Sequence, residues 1–160
     1  MATTDVNSSY MMREATLTDL PTLLGFEQEI VAWERPYAPN IKDGVVNYYD
    51  IRDLIEREDA HVLVAVNAAD GALIGSGYAK IKTNISYKDP DQLTYLGFMY
   101  TAPAYRGKGV NGSIIHTLVQ WAKDRGVHEV QLDVYADNAS ALQAYAKAGF
   151  KPDLLTMRLR

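Results

Sequence analysis

The stretch Arg106-Gly107-Lys108-Gly109-Val110-Asn111-Gly112 decides the fold, because it joins a predicted strand to a predicted helix. Its glycines let consecutive amide N–H groups turn toward one point, and the following helix adds unpaired amides and the positive end of its dipole. This combination is typical of a cradle for a phosphate or pyrophosphate. Taken alone, the stretch fits equally well a glycine-rich surface turn that carries two solvated cations, Arg106 and Lys108.

Two nucleotide-binding motifs can be compared with this stretch. A Walker loop needs G-x-x-x-x-G-K-[ST], and the spacing around Lys108 does not match it. A dinucleotide fingerprint needs G-x-G-x-x-G, which Gly107, Gly109 and Gly112 do match, with Asp133 at a suitable distance after them. That fingerprint belongs on the first strand of a doubly wound domain, whereas this stretch lies late in the chain. A dinucleotide-binding oxidoreductase therefore stays a minor alternative.

A second motif occupies residues 138–150, with the sequence Asn138-Ala-Ser-Ala141-Leu-Gln-Ala-Tyr145-Ala-Lys-Ala-Gly149-Phe150. Together the two stretches resemble the GNAT N-acetyltransferase superfamily. Its signature is Arg/Gln-x-x-Gly-x-Gly/Ala at a helix start, followed by Asn-x-x-Ala-x-x-x-Tyr-x-x-x-Gly-Phe. The second half is matched at every fixed position. The first half is matched at Arg106 and Gly109 and departs at Asn111, where glycine or alanine is usual.

The resemblance implies that the acetyl group of acetyl-CoA, the co-substrate, passes to a primary amine without a metal. Transfer would be direct, since the chain has no cysteine to hold an acetyl intermediate. Tyr145 matches the general acid that protonates the departing thiolate, and a core tyrosine is its alternative interpretation. Gly97 suits a β-bulge that splays two strands around the pantetheine arm. The residues that match cofactor-binding positions are Met99, Tyr100, Thr101, Arg106, Gly107, Lys108, Gly109, Val110, Asn111, Gly112 and Asn138.

Two further assignments leave alternatives open. Asn138 is equally an ordinary helix N-cap. Asp133 resembles the acidic base position of the branch that acetylates ribosomal-protein N-termini, and a solvent-facing carboxylate explains it equally well. The histidines His61, His116 and His128 are scattered without metal-ligand spacing.

The remaining pattern predicts one α/β (α+β) domain over residues 1–160, with residues 1–9 frayed. We expect a single mixed, mostly antiparallel sheet with a central splay and helices on both faces. The predicted strands are Tyr10–Glu14, His61–Val66, Ala72–Ile81, Gln92–Thr101, Val130–Val134 and Leu154–Leu159. The predicted helices run from Leu20 to about Trp33, from Asp43 to Arg57, from Val110 to about Gly126 and from Asn138 to Gly149.

Charge and composition restrict the partners. The formal net charge of −4 argues against a general nucleic-acid binder, and no apolar run approaches the roughly 18 residues of a membrane span. The start of the sequence lacks the pattern of a secretory signal, so we expect a cytoplasmic protein with neither a nucleic-acid nor a membrane partner. A homodimer is one open possibility.

The first two predicted helices carry an excess of acids that suggests a small cationic amine as acceptor. Between Glu27 and Asp59 the acids are Glu27, Glu29, Glu34, Asp43, Asp50, Asp53, Glu56, Glu58 and Asp59, and the aromatic residues are Trp33, Tyr37, Tyr48 and Tyr49. Acids interleaved with aromatic rings bind amines by charge and by cation–π contact. A solvated acidic helix face is the simpler interpretation. The alternative functions are acetylation of protein N-termini or lysines, and acyl-CoA sensing without turnover.

Overall fold

The computed structural model of the chain describes residues 3–4 and 9–160. Its sheet contains, in spatial and chain order, β1 (Thr3–Thr4), β2 (Tyr10–Glu14), β3 (Ala60–Asn67), β4 (Leu73–Thr83), β5 (Gln92–Thr101) and β6 (Val130–Gln131). The helices are α1 (Leu20–Glu34), α2 (Ile51–Glu56), α3 (Val110–Asp124) and α4 (Ala139–Lys147). Strands β1 to β5 pair antiparallel, and β5 and β6 pair parallel. The predicted mixed, mostly antiparallel sheet is therefore confirmed.

Both faces of the sheet are covered because its central strands are apolar on both sides. In β3, Val62 and Val64 face α1 and α2, whereas Leu63 and Ala65 face α3, as the two-residue period of a strand requires. The first face packs against Leu23, Phe26, Ile30, Ile51 and Leu54, and the second against Ile114, Ile115 and Leu118. No helix in the described part of the chain is long and apolar enough to cross a membrane.

A β-bulge interrupts the pairing of β4 with β5. Tyr78 lies opposite Gly97 and Ser76 lies opposite Tyr100, so β5 has one residue more than β4 over this interval. Phe98, inside the bulge, has a φ of 57°, which is unusual for a residue with a side chain. The buried hydroxyl of Ser76 donates to the Phe98 carbonyl oxygen at 3.1 Å. The bulge predicted at Gly97 is confirmed.

The second helix is much shorter than predicted, because long-range contacts hold residues 45–50 outside any helix. Glu27 accepts the backbone N–H groups of Tyr48 and Tyr49, each at 2.9 Å, and Gln28 donates to the Val46 carbonyl at 2.8 Å. Helix α2 begins only after Asp50, whose carboxylate caps it through the Asp53 N–H. The prediction of a helix from Asp43 was therefore wrong at its first eight residues.

Three other boundaries differ from the sequence-based expectation. Only Val130–Gln131 of the predicted strand Val130–Val134 pairs with β5. Leu154–Leu159 forms no strand, and residues 151–160 are exposed. Thr3–Thr4 pairs with Met11–Met12, so the expectation that residues 1–9 fray is wrong for these two residues. Residues 1–2 and 5–8 lie outside the described residues.

Candidate active site

The loop before α3 has the open geometry that its glycines predict. Gly107 and Gly109 adopt φ values of 74° and 82°, in the left-handed region that glycine tolerates. A Cβ built on either residue, or on Gly112, would meet no atom within 4 Å. The Ser113 N–H donates to the Gly109 carbonyl at 3.0 Å, and the amides of residues 107–112 have no acceptor within the described residues. Free amides at the start of a 15-residue helix fit an anion.

The two cations of the loop lie against aromatic rings at its flanks. The Arg106 guanidinium carbon lies 3.9 Å from the centroid of Trp33, and its Nε donates to the Thr101 carbonyl at 3.4 Å. The Lys108 Nζ lies 5.6 Å from the centroid of Tyr105. Both side chains belong to exposed residues, so their charges stay in solvent beside the loop.

Strands β5 and β6 pair only at Thr94–Val130 and Tyr95–Gln131 in the described part of the chain. The space beside the unpaired edge of β5, toward the chain that follows β6, is called the slot. Beyond the paired residues, Met99, Tyr100 and Thr101 have no strand partner on this edge in the part of the sheet that the structure describes. The Thr101 Oγ1 is buried there without a hydrogen-bond partner. A free strand edge and an unsatisfied hydroxyl fit a bound molecule with amide groups.

Tyr145 lies on α4 and packs, partly buried, against the core cluster on the α3 side of the sheet. Its ring meets the ring of Phe150 edge-to-face, with centroids 6.0 Å apart. Burial, aided by the negative charge of Glu34, raises the pKa of Tyr145 to about 12. The hydroxyl has no hydrogen-bond partner among the described residues. Tyr145 is therefore a protonated phenol at neutral pH with a free donor, as a general acid requires.

Asn138 and Asp133 show the ordinary contacts that the sequence also allowed. The Asn138 Oδ1 accepts the Ala141 N–H at 3.2 Å, which makes Asn138 the N-cap of α4. Asp133 is exposed and accepts the Tyr95 hydroxyl at 3.2 Å. Its negative charge contributes, after burial, to the raised pKa values of Tyr95 and Tyr78. Asp133 is thus hydrogen-bonded to Tyr95 of β5, the strand beside the slot.

Glu34 is the acid that the structure singles out from the nine in the acidic region. It is the last residue of α1, is half-buried, and has a pKa that burial raises. Its negative charge contributes to the raised pKa values of five hydroxyls: those of Tyr48, Tyr49, Tyr95, Tyr135 and Tyr145. Glu34 is therefore close enough to these five tyrosines for its charge to act on their hydroxyls. Its place just before Arg35-Pro36, where the helix ends, was the sequence signal for it.

Glu27 couples the segment 45–50 to the bulge, a role that sequence reasoning missed. Its carboxylate is 0% exposed and holds the backbone of Tyr48 and Tyr49 through its Oε2. The Tyr49 hydroxyl in turn accepts the Phe98 N–H at 3.3 Å. The segment 45–50 is therefore fixed both to α1 and to the bulged strand, with contacts that span 21 to 49 residues of sequence.

Histidine and carboxylate side chains do not form a metal site in the described part of the chain, where no group of three or more is placed to hold an ion. The site therefore consists of a loop with free amides, a strand edge, a free phenol and a half-buried carboxylate.

Comparisons with known proteins show the family to which the chain belongs. Residues 27–150 match the acetyltransferase (GNAT) family profile. Streptothricin acetyltransferase of Streptomyces lavendulae is 34% identical over 95 residues, which cover 59% of this chain and 47% of that protein. The chain spans about half the length, or less, of the first curated relatives it matches.

Solved structures match over nearly the whole chain. A mutant form of the BH1408 protein from Bacillus halodurans superposes with a TM-score of 0.83 at 19% identity, covering 93% of this chain and 98% of that one. An aminoglycoside acetyltransferase, AAC(6')-Iy in complex with the bisubstrate analogue CoA-S-monomethyl-acetylneamine, gives a TM-score of 0.68 at 20% identity, covering 96% and 99%. At these identities, the two matches establish the shared fold.

Proposed function

The chain belongs to the GNAT acetyltransferase family, and on that premise we propose that it transfers the acetyl group of acetyl-CoA to the primary amine of a small cationic acceptor. The observation that carries the proposal is the protonated hydroxyl of Tyr145, which has no hydrogen-bond partner in the described part of the chain and lies on α4, the helix after β6. The names of two similar proteins agree with it: one is a streptothricin acetyltransferase, and the other is an aminoglycoside acetyltransferase in complex with a CoA-based bisubstrate analogue.

Acetyl-CoA would supply the activated acetyl group, and the loop and strand edge fit its two polar parts. The amides of residues 107–112 would hold the pyrophosphate, with Arg106 and Lys108 supplying positive charge at the flank. The edge of Met99, Tyr100 and Thr101 would pair with the amides of the pantetheine arm. Asn111 stands where glycine or alanine is usual, and its backbone amide would bind with those of the neighbouring glycines, around whose Cβ positions the space is open.

Two proton transfers complete the reaction. Tyr145 would donate its phenolic proton to the leaving sulfur as the bond from the acetyl carbon to sulfur breaks, and it would regain a proton from solvent. Asp133, accepting the Tyr95 hydroxyl at 3.2 Å, is the proposed base that takes the ammonium proton through Tyr95 or a water before nitrogen attacks. Asn138 would contact the cofactor through its side-chain amide while its Oδ1 caps α4.

Glu34 is the residue that would make the site select a positively charged acceptor. A half-buried carboxylate among tyrosine rings attracts a cation more strongly than an exposed one, because less water screens it. We assign it to a second cationic group on the acceptor, away from the amine that is acetylated. A diamine or an amino sugar carries such a pair of groups.

Amine selectivity tests this assignment. We expect Glu34→Gln to lower kcat/KM for putrescine by roughly 10–100-fold, the effect of losing one charge-assisted hydrogen bond, and to change kcat/KM for butylamine little. Glu58→Gln, an exposed acid outside the site, is the matched control. Equal losses for the two amines would contradict the role of Glu34.

The same assay separates the other functions. N-terminal peptides and lysine peptides, used in place of putrescine, would be the better substrates of a protein acetyltransferase. Tight acetyl-CoA binding without release of CoA for any amine would indicate a sensor.

The proposal also includes a single-domain protein in the cytoplasm, a location that the absence of cysteine supports.

A further inference from the structure

Asn111 and Gly112 form the one Asn–Gly pair of the chain, and they lie in the first turn of α3, inside the candidate phosphate cradle. Asparagine is a chemically labile residue, because the backbone nitrogen of the next residue can attack its side-chain carbonyl and expel ammonia. Attack is easiest before glycine, since no side chain shields that nitrogen. In contrast, a residue with a Cβ follows each of the other asparagines: Asn7, Asn40, Asn47, Asn67, Asn84 and Asn138.

The side chain of Asn111 has no hydrogen-bond partner in the described part of the chain. In three other asparagines the side-chain oxygen accepts a backbone N–H, at 2.8 Å in Asn67 and Asn84 and at 3.2 Å in Asn138. Such a bond fixes the orientation of the side-chain amide, so it must break before the amide can turn toward the backbone. The side chain of Asn111 can turn without that step.

The backbone nitrogen of Gly112 is accessible. Its N–H finds no acceptor among the described residues, because the first turn of a helix lacks intrahelical acceptors. Gly112 is exposed, and a Cβ built on it would meet no atom within 4 Å. Helix ends open at a low cost in free energy, so the peptide between Asn111 and Gly112 can rotate toward the side chain. The positive end of the helix dipole stabilises the nitrogen after it loses its proton.

We propose that Asn111 is a site of spontaneous deamidation, with the backbone nitrogen of Gly112 as the nucleophile. This nitrogen gives up its proton and forms a bond to the side-chain carbonyl carbon of Asn111. The bond from that carbon to the side-chain nitrogen breaks, and the nitrogen takes up the proton and leaves as ammonia. Water then opens the resulting five-membered imide, which yields aspartate or isoaspartate at residue 111. The net reaction consumes one water molecule and releases one ammonia molecule.

The product places a negative charge in the candidate cradle. A carboxylate at residue 111 would repel the pyrophosphate that the amides of residues 107–112 are proposed to hold, whereas the parent side chain is neutral. Bound acetyl-CoA would engage the Gly112 N–H and so protect the site. This consequence rests on the proposed function, while the deamidation itself does not. Deamidation would therefore inactivate the enzyme when it is kept without its cofactor.

Peptide mass spectrometry tests the deamidation directly. Cleavage by trypsin after lysine and arginine gives the peptide 109–123, whose single asparagine is Asn111, and the peptide 126–147, whose single asparagine is Asn138. After incubation of the folded protein without cofactor at mildly alkaline pH, we expect the first peptide to gain nearly one dalton several times faster than the second. Equal rates in the two peptides would overturn the proposal.

A substitution at Gly112 tests the identity of the nucleophile. Gly112→Ala keeps Asn111, and the added Cβ fits the fold because the space around it is open. We expect this variant to gain mass several-fold more slowly than the parent chain, since the Cβ shields the nitrogen. Gly25→Ala, at an exposed glycine of α1 with equally open space, is the matched control and should leave the rate unchanged. A rate that Gly112→Ala also leaves unchanged would overturn the role of Gly112.

Cofactor binding tests the consequence and separates it from the proposed function. Asn111→Asp copies the product, and we expect it to raise the dissociation constant for acetyl-CoA at least about 10-fold while far-UV circular dichroism is unchanged. Acetyl-CoA should also slow the mass gain of the parent chain. An unchanged dissociation constant would overturn the effect on the cradle. A parent chain that does not bind acetyl-CoA would refute the proposed function, yet the peptide masses would still decide whether Asn111 deamidates.

Discussion

Replacing Glu27 by alanine removes the side chain that holds the backbone of residues 45–50 in place. The carboxylate is 0% exposed and accepts two backbone N–H groups at 2.9 Å each, from Tyr48 and Tyr49. A hydrogen bond to a charged group contributes about 1.5–3 kcal/mol, and the substitution leaves two amides without an acceptor. We expect Glu27→Ala to lower the free energy of unfolding by about 3–5 kcal/mol. Glu27→Gln keeps an acceptor oxygen and should cost about 1–2 kcal/mol.

Urea unfolding followed by tryptophan fluorescence measures these changes, provided that the m-value stays constant. The exposed Glu58→Ala variant is the control and should change the free energy of unfolding by less than about 0.5 kcal/mol. If residues 45–50 line the acceptor side of the proposed site, Glu27→Gln should also raise KM for the amine more than KM for acetyl-CoA. A loss below about 1 kcal/mol for Glu27→Ala at constant m-value would refute this account of the segment.

Three more predictions concern the bulge, the tyrosines and the first turn. A Cβ at Gly97 would lie 2.6 Å from the Tyr78 ring, so Gly97→Ala should lower the free energy of unfolding by about 1–3 kcal/mol. The double variant Gly97→Ala with Tyr78→Leu should recover part of that loss. No recovery would exclude the Tyr78 ring as its cause. Folding raises the pKa of Tyr145 and of Tyr78 to about 12. The contribution of these two protonated phenols to stability is therefore complete below about pH 10 and is lost as pH rises toward about 12. A free energy of unfolding that stays constant from about pH 9 to 11.5 would contradict this. The Arg13 guanidinium lowers the pKa of Asp19 through hydrogen bonds of 2.7 and 2.9 Å. We expect Asp19→Asn to lower the free energy of unfolding of the protein by about 1–2 kcal/mol at about pH 7. The difference between the two proteins should be smaller at about pH 3.

Sequence patterns predicted most of the sheet and three of the helices, because those elements are specified by their own residues. The bounds of Gln92–Thr101 agree with the structure, and α3 and α4 begin within one residue of the predicted positions. In each case apolar periodicity and a terminating glycine or capping residue lie within the element itself. The bulge at Gly97 was predictable for the same reason, since a glycine inside a β run has few other causes.

The remaining features depend on contacts between distant residues. Residues 45–50 are held by Glu27 and Gln28, about 20 residues away, and no local signal distinguishes that segment from the start of a helix. Leu154–Leu159 was predicted as a strand and yet has no strand partner among residues 3–4 and 9–160, because pairing depends on a neighbouring edge. Among the nine acids between Glu27 and Asp59, Glu34 is the one whose charge acts on the Tyr145 hydroxyl, and the packing of the chain determines this.

The most direct test of the proposed chemistry is CoA release from acetyl-CoA with a panel of amines, compared between the parent chain and Tyr145→Phe. Tyr145 is a protonated phenol at neutral pH, and general acid catalysis contributes about 10²–10⁴-fold. We expect kcat to fall by that factor while the dissociation constant for acetyl-CoA is unchanged. Equal kcat for the two proteins would contradict the assignment of Tyr145 as the acid.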